Sequence, residues 1–189
     1  MAARSGERRL QILQTLAAML ENPRSEKVTT AALAARLSVS EAALYRHFAS
    51  KAQMYEGLIE FIETTLFSFV NRITGETQDG VAQAEQMVVM LLSFAEKNPG
   101  MTRVLIGEAL VNEDERLQAR INQLTDKLEA ALRQSLRIAQ AANGWHGDAQ
   151  ADGAVLIAYV LGRWQIFAKS GFKRMPQDGW ALQRKFLFG

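Results

Sequence analysis

Apolar residues recur at spacings of three and four along nearly the whole chain. That is the repeat of a single helix face, and no segment shows the period of two that a half-buried strand needs. The pattern predicts an all-α chain of about nine helices. Ile12, Leu13, Leu16 and Leu20 mark a first helix over 7–21, closed by Asn22-Pro23. Thr29 or Thr30 can cap a short second helix with Leu33, Ala34 and Leu37 inward. Ser38-Val39-Ser40 then reads as a turn, and Ser40 as the cap of a third helix with Glu41 in its first turn. Leu44 and Phe48 lie one turn apart and should face inward together.

Ser50 and Gln53 form a capping-box pattern. It opens a long fourth helix over 51–74, with a stripe of Met54, Leu58, Phe61, Ile62, Leu66, Phe69 and Ile73. A fifth helix over 81–97 stops at Asn98-Pro99-Gly100, and a sixth covers 101–111. The seventh, over 112–142, repeats Leu117, Ile121, Leu124, Leu128, Leu132 and Leu136, and stops at Asn143-Gly144. An eighth over 149–170 and a ninth over 178–187 complete the set. The composition shifts near residue 54, which suggests a domain at 1–53 and a second at 54–189.

Charge sharpens that division. The net charge of +2 is small, but residues 1–54 carry eight Lys or Arg against four acids, and the remainder fourteen against sixteen. A basic front on a mildly acidic body fits a polyanionic partner. The absence of cysteine excludes disulfides, thiolate zinc sites and cysteine nucleophiles. His47 and His146 lie too far apart in sequence to suggest a metal site, so no metal or cofactor is expected. No nucleophile–base pair or phosphate loop is present, and Glu113-Asp114-Glu115 reads as charge at a helix N-terminus. An enzyme is therefore not expected. No secretory leader and no apolar run long enough to span a membrane is evident, which points to a cytoplasmic protein without membrane association.

The chemistry concentrates in Thr29 to Lys51. Two short helices joined by a three-residue turn make a helix-turn-helix, whose second helix enters the major groove with its N-terminal residues leading. Ala42 and Ala43 are small enough to bring that helix close to base edges and thymine methyls, and Glu41 can accept from cytosine. Thr29, Thr30, Tyr45, Arg46, His47 and Lys51 are suited to phosphates, which position a protein without reading sequence, and Ser40, the cap of the reading helix, is counted with the DNA-binding residues. Phe48 reads as core. Each of the polar residues also has an ordinary alternative, as a solvated charge or a satisfied histidine.

Together, Thr30, Leu33-Ala34, Val39-Ser40, Leu44-Tyr45, His47-Phe48 and Ser50-Lys51 resemble the motif of the TetR family of bacterial DNA-binding dimers. Ser38 stands where that family usually has glycine. If it is left-handed, it costs on the order of 1 kcal/mol. Beyond the motif, LIEFIE (58–63), KNPGMTRVLIGEAL (97–110), RLQARINQL (116–124) and SGFKRMP (170–176) resemble the nucleoid occlusion branch of the family.

That resemblance implies a homodimer on palindromic double-stranded DNA. It also implies that the dimer binds the division protein FtsZ, including its C-terminal tail, and antagonises ring assembly over the chromosome. Phe61, Met90, Lys97 and Asn98 fall at matching partner-binding positions. Phe69 and Ser93 depart from the pattern, and Arg72 stands one turn from Phe69 as a replacement charge. The expected dimer seam is the eighth helix, through Leu156, Tyr159, Val160 and Trp164, with Gly153 and Gly162 allowing close approach. The rival expectation is a ligand-responsive repressor whose pocket is lined by Met87, Met90, Phe94, Tyr159, Trp164 and Phe167.

Overall fold

The computed structural model describes residues 2–22 and 28–189, with side chains from residue 6 onward. Pro23, expected to close the first helix, lies outside the described residues. Helices α1 (Ala2–Glu21), α2 (Thr30–Arg36), α3 (Glu41–Tyr45), α4 (Lys51–Glu76), α5 (Gly80–Lys97), α6 (Pro99–Leu105), α7 (Glu115–Ala141), α8 (Ala149–Lys169) and α9 (Trp180–Phe188) follow in order, with a 3-10 turn at Glu108–Leu110. No strand occurs among the described residues. The chain forms two compact units. One comprises residues 1–62 and 98–121, the other 63–97 and 122–189, so that α4 and α7 each contribute to both.

In the first unit, Ile12, Leu16 and Leu20 of α1 meet Leu33 of α2, Leu44 of α3 and Phe48 in a closed apolar core. The sequence-level caps form. Thr29 accepts from the Ala32 amide at 3.1 Å, which settles the choice between Thr29 and Thr30. Ser40 accepts from Ala43 at 3.3 Å and Ser50 from Gln53 at 3.1 Å. The return arm of the Ser50–Gln53 box reaches the Ala49 amide at 2.9 Å, one residue earlier than in the usual box. Helix α1 crosses α6 at Gly100, where an added Cβ would lie 1.9 Å from the Ala17 carbonyl oxygen. Only glycine permits that approach. Arg103 of α6 then donates to the Leu20 carbonyl at 3.0 Å, satisfying one of the free acceptors at the end of α1.

The sixth and seventh helices differ from their expected bounds. Gly107 (φ 76) and Asn112 (φ 69) are both left-handed, so the chain breaks into the 3-10 turn and α7 begins at Glu115 rather than at 112. Apolar spacing could not show this, because Val104, Leu105 and Leu110 are buried whichever way the backbone connects them.

In the second unit, the whole expected α7 stripe beyond residue 121 is buried: Leu124, Leu128, Leu132 and Leu136. Trp164 of α8 is buried and donates its indole N–H to the Leu91 carbonyl at 3.0 Å, joining α8 to α5. Buried Ser135 donates to Gln83 at 3.0 Å, joining α7 to α5. Asn143 (φ 57) closes α7, with the Gly144 amide reaching back to Ala139 at 2.8 Å.

Ser38 is left-handed at φ 53. A β-carbon in that conformation crowds the following carbonyl, and glycine has none. Ser38→Gly is therefore expected to stabilise the protein by about 0.5–1 kcal/mol, read as a rise in the urea midpoint without a change in slope. A loss of stability would show that the Ser38 side chain compensates its own strain.

Candidate DNA and partner interfaces

The two short helices present a compact polar face. Ser40, Glu41, Ala42, Tyr45 and Arg46 are exposed, while Ala43 and His47 are half-buried. Tyr45 keeps 45% of its surface open while Phe48 keeps 1%, so the two aromatics separate into a surface group and a core group. Thr30 donates to Glu41 at 2.6 Å, pinning the start of α3 to the start of α2. The hydroxyls of Thr29 and Ser40 accept from backbone amides, and each keeps its own proton to donate. Arg9 of α1 was not singled out from the sequence. Its guanidinium lies 4.2 Å above the Phe48 ring and donates to the His47 carbonyl at 2.5 Å. It braces the end of α3 from behind, a role no local pattern reveals because 38 residues separate the partners.

Lys51, at the first position of α4, pairs with Glu113, and its ammonium lies 5.7 Å from the Tyr55 ring centroid. Of the acidic trio, Glu113 thus belongs to this pair. Asp114 accepts from the Arg116 amide at 3.0 Å and from its guanidinium at 2.6 Å, and these bonds hold its carboxyl down at about 2. Glu115 alone occupies the first turn of α7. Tyr55 is buried, and burial, with Glu113 adding to it, pushes its hydroxyl far above the usual range.

In the second unit, α4 and α5 enclose an open cavity of about 550 Å³. Its apolar lining includes Phe69, Ile73, Val89 and Met90, and Arg72 and Ser93 stand on its wall. The Arg72 guanidinium lies over the Phe69 ring at 5.2 Å. Two expected partner residues, Arg72 and Met90, are therefore brought together with both departures from the pattern, Phe69 and Ser93. Phe61 and Asn98 belong to the first unit, and Lys97 is exposed at the end of α5; none of the three lines this cavity. Asn98 is the N-cap position of α6, where its carbonyl accepts from Thr102 at 2.9 Å.

The expected dimer seam needs correction. Leu156, Val160 and Trp164 are buried inside the protomer and have no surface left for a second chain. Tyr159 is half-buried and donates to Gln183 of α9 at 2.5 Å. Gly153 also faces inward, against Arg133 of α7. The face of α8 that stays open is instead Ala151, Ala154, Val155, Ala158 and Gly162. Helix α9 adds Leu182 and Phe186, 68% and 90% exposed. Spacing alone could not choose between the faces, because α8 is apolar on both. Of the six residues expected to line an effector pocket, Met87, Phe94, Trp164 and Phe167 are likewise core, whereas Met90 lines the α4–α5 cavity and Tyr159 is half-buried. Among the described residues no cluster of three or more metal-ligating side chains occurs, and no helix is long and apolar enough to cross a membrane.

This fold has close counterparts. A TetR-family regulator from Thermus thermophilus, PfmR, superposes with a TM-score of 0.77 over 94% of this chain and 96% of its own; at 20% identity it shows the fold alone. Residues 25–58 match the pattern of bacterial regulatory proteins of the tetR family, and residues 78–189 the tetracyclin repressor-like C-terminal domain of SlmA-like proteins. The chain is thus a TetR-type DNA-binding protein with an N-terminal helix-turn-helix. The nucleoid occlusion factor SlmA of Alteromonas mediterranea is 48% identical over 94% of this chain and 92% of its own length. That of Vibrio cholerae is 48% identical over 93% of each. The chain belongs to the SlmA family of nucleoid occlusion factors.

The Thr30–Glu41 bond yields a test of base reading. Thr30→Val frees the Glu41 carboxylate from its single orientation. In a selection from random duplexes, base preference should relax at one position of each half-site, by about 1–3 kcal/mol of discrimination. An unchanged profile would assign the bond to helix positioning alone.

Proposed function

We propose that this protein acts as a DNA-bound homodimer that occupies palindromic sites on the chromosome, binds FtsZ including its C-terminal tail, and antagonises division-ring assembly over the nucleoid. The observation that carries the reading is the extent of the likeness to nucleoid occlusion factors. It runs at 48% identity overall across 94% of the chain, a span that takes in the helical body as well as the DNA-binding end. The setting is the cytoplasm, at the nucleoid.

Each step has a physical counterpart. Ser40, Glu41, Ala42 and Ala43 lead the helix into the major groove and meet base edges, while Thr29, Thr30, Tyr45, Arg46, His47 and Lys51 take phosphates. Two such helices about 34 Å apart read a palindrome. The dimer forms through the open α8–α9 face. The α4–α5 cavity has an apolar floor and a guanidinium on its wall, the lining that suits a short peptide mixing apolar and acidic residues. Arg72 supplies the positive charge there, and the acid on the wall, Glu85, is paired with Arg184 of α9. Met90 lines the same cavity, and Phe61, Lys97 and Asn98 are retained as partner positions on the resemblance alone. The DNA-reading residues 29–51 belong to the first unit, which runs past the boundary expected near residue 53, and the α4–α5 cavity belongs to the second.

Two measurements test this. A fluorescent FtsZ C-terminal peptide, titrated with the protein and followed by anisotropy, is expected to bind saturably, and Arg72→Glu and Lys97→Glu should each weaken it at least tenfold. No binding, with DNA binding intact, would return the chain to the class of ligand-responsive repressors. For the dimer, Phe186→Ala removes a side chain that the protomer barely contacts. Sedimentation equilibrium should show dimerisation weakened tenfold or more, since burying one such side chain contributes about 1.5–3 kcal/mol. An unchanged dimer would move the seam off α9.

A further inference from the structure

Lys51 stands at the first position of a helix of 26 residues whose first turn holds no acidic residue. A cation there faces the positive end of the helix dipole, an unfavourable placement unless an anion is near. The anion present comes from far along the chain. Glu113 lies 62 residues on, in the segment between the 3-10 turn and α7, and its carboxylate meets the Lys51 ammonium directly. The pair is not a loose surface contact: the side chains of Lys51 and Glu113 keep only 33% and 18% of their surface. The backbone aims the acid there, because Asn112, just before it, is held left-handed at φ 69. Asp114, the next residue, turns the other way and pairs with Arg116.

We propose that Glu113 is an affinity-setting residue of the DNA interface: it holds Lys51 in an internal ion pair, and DNA phosphate must displace it. This rests on the reading of Lys51 as a phosphate contact. The carboxylate occupies on Lys51 the place a phosphate oxygen would take, so binding exchanges one anion for another. The lysine then contributes little net charge neutralisation. The counterion it releases from DNA is matched by a cation that the freed Glu113 takes up. Affinity for any duplex is held down, and with it the occupancy of random chromosomal sequence, while the base-reading groups on α3 are untouched. Because the lysine's phosphate contact is common to every duplex, the ratio of specific to sequence-independent affinity is unchanged while the absolute strength of both is lowered.

The test is salt titration of binding to a random-sequence duplex by wild type, Glu113→Gln and Glu113→Ala, with thermal melts to confirm folding. Both variants should bind more tightly at 50 mM salt. The slope of log affinity against log salt should steepen by about 0.9 per protomer, so the gain shrinks about tenfold by 200 mM. In a Lys51→Ala background the gain should vanish, and Asp114→Asn, which neutralises the adjacent acid, should not reproduce it. A gain that persists without Lys51, or that Asp114→Asn matches, would reduce Glu113 to general repulsion and overturn the proposal. Weaker binding by folded Glu113→Gln would overturn it too, by showing that Glu113 presents Lys51 to DNA rather than withholding it. If wild type binds and Glu113→Gln is no different, the latch alone falls. If wild type binds no duplex at any salt, the DNA reading falls with it.

Discussion

The DNA-reading unit depends on one crossing. Its residues come from two stretches of chain, 1–62 and 98–121, and these are clamped where α1 runs over α6. The crossing works because Gly100 has no side chain and the Ala17 carbonyl can approach the α6 backbone. Arg103 adds a charge-assisted bond to the end of α1. Helix α1 in turn carries the motif: Arg9 braces the residues that follow α3, His47 and Phe48, and Ile12 and Leu16 are buried with Leu33, Leu44 and Phe48 in the core. The recognition helix has only five residues, too few to be stable alone. Its orientation is inherited from α1, which takes its own from Gly100. A larger side chain at residue 100 would change the angle at which bases are met without touching the DNA face.

Electrostatics on that face follow from the same economy. Few of its charged groups are idle. Glu41 is held by Thr30, Lys51 by Glu113, and Arg9 by the His47 carbonyl. A pre-organised face loses less side-chain entropy when it docks. It also approaches DNA with part of its positive charge already answered. Tyr45 at the end of α3 and Arg46 just after it are exposed groups with room to adapt.

Helix number, order and most bounds were legible because most of the helices carry an apolar stripe that the protomer buries. The motif was legible because cap, turn and core residues sit at fixed short spacings. What escaped notice was of two kinds. Long-range polar partners such as Arg9–His47 and Lys51–Glu113 leave no periodic trace, since their geometry exists only after folding. Backbone breaks at Gly107 and Asn112 were hidden because the apolar residues on either side are buried in any connection. Ser38 was the exception: an expected left-handed position occupied by an unsuited residue was readable as strain, and φ 53 bears that out.

The eighth helix shows how a correct element can still yield the wrong surface. A helix apolar all round must be covered on both sides. Spacing says that Leu156, Val160 and Trp164 share a face, and that Ala154, Val155 and Ala158 share another, but not which face meets the rest of its own chain. Side-chain size decides it. The protomer core takes the large residues, because an indole with its N–H satisfied by Leu91 fills more volume than alanines can. The small residues are left outward, where they let a second helix come close, as glycine and alanine do wherever backbones pack tightly. Phe186 and Leu182 then supply at α9 the bulk that α8 lacks. The seam proposed on α8 and α9 would then have a thin centre and a bulky edge, a shape that can be self-complementary under a two-fold axis. The same division of large inward and small outward residues thus accounts for the packing of the single chain and underlies the seam proposed for its pairing.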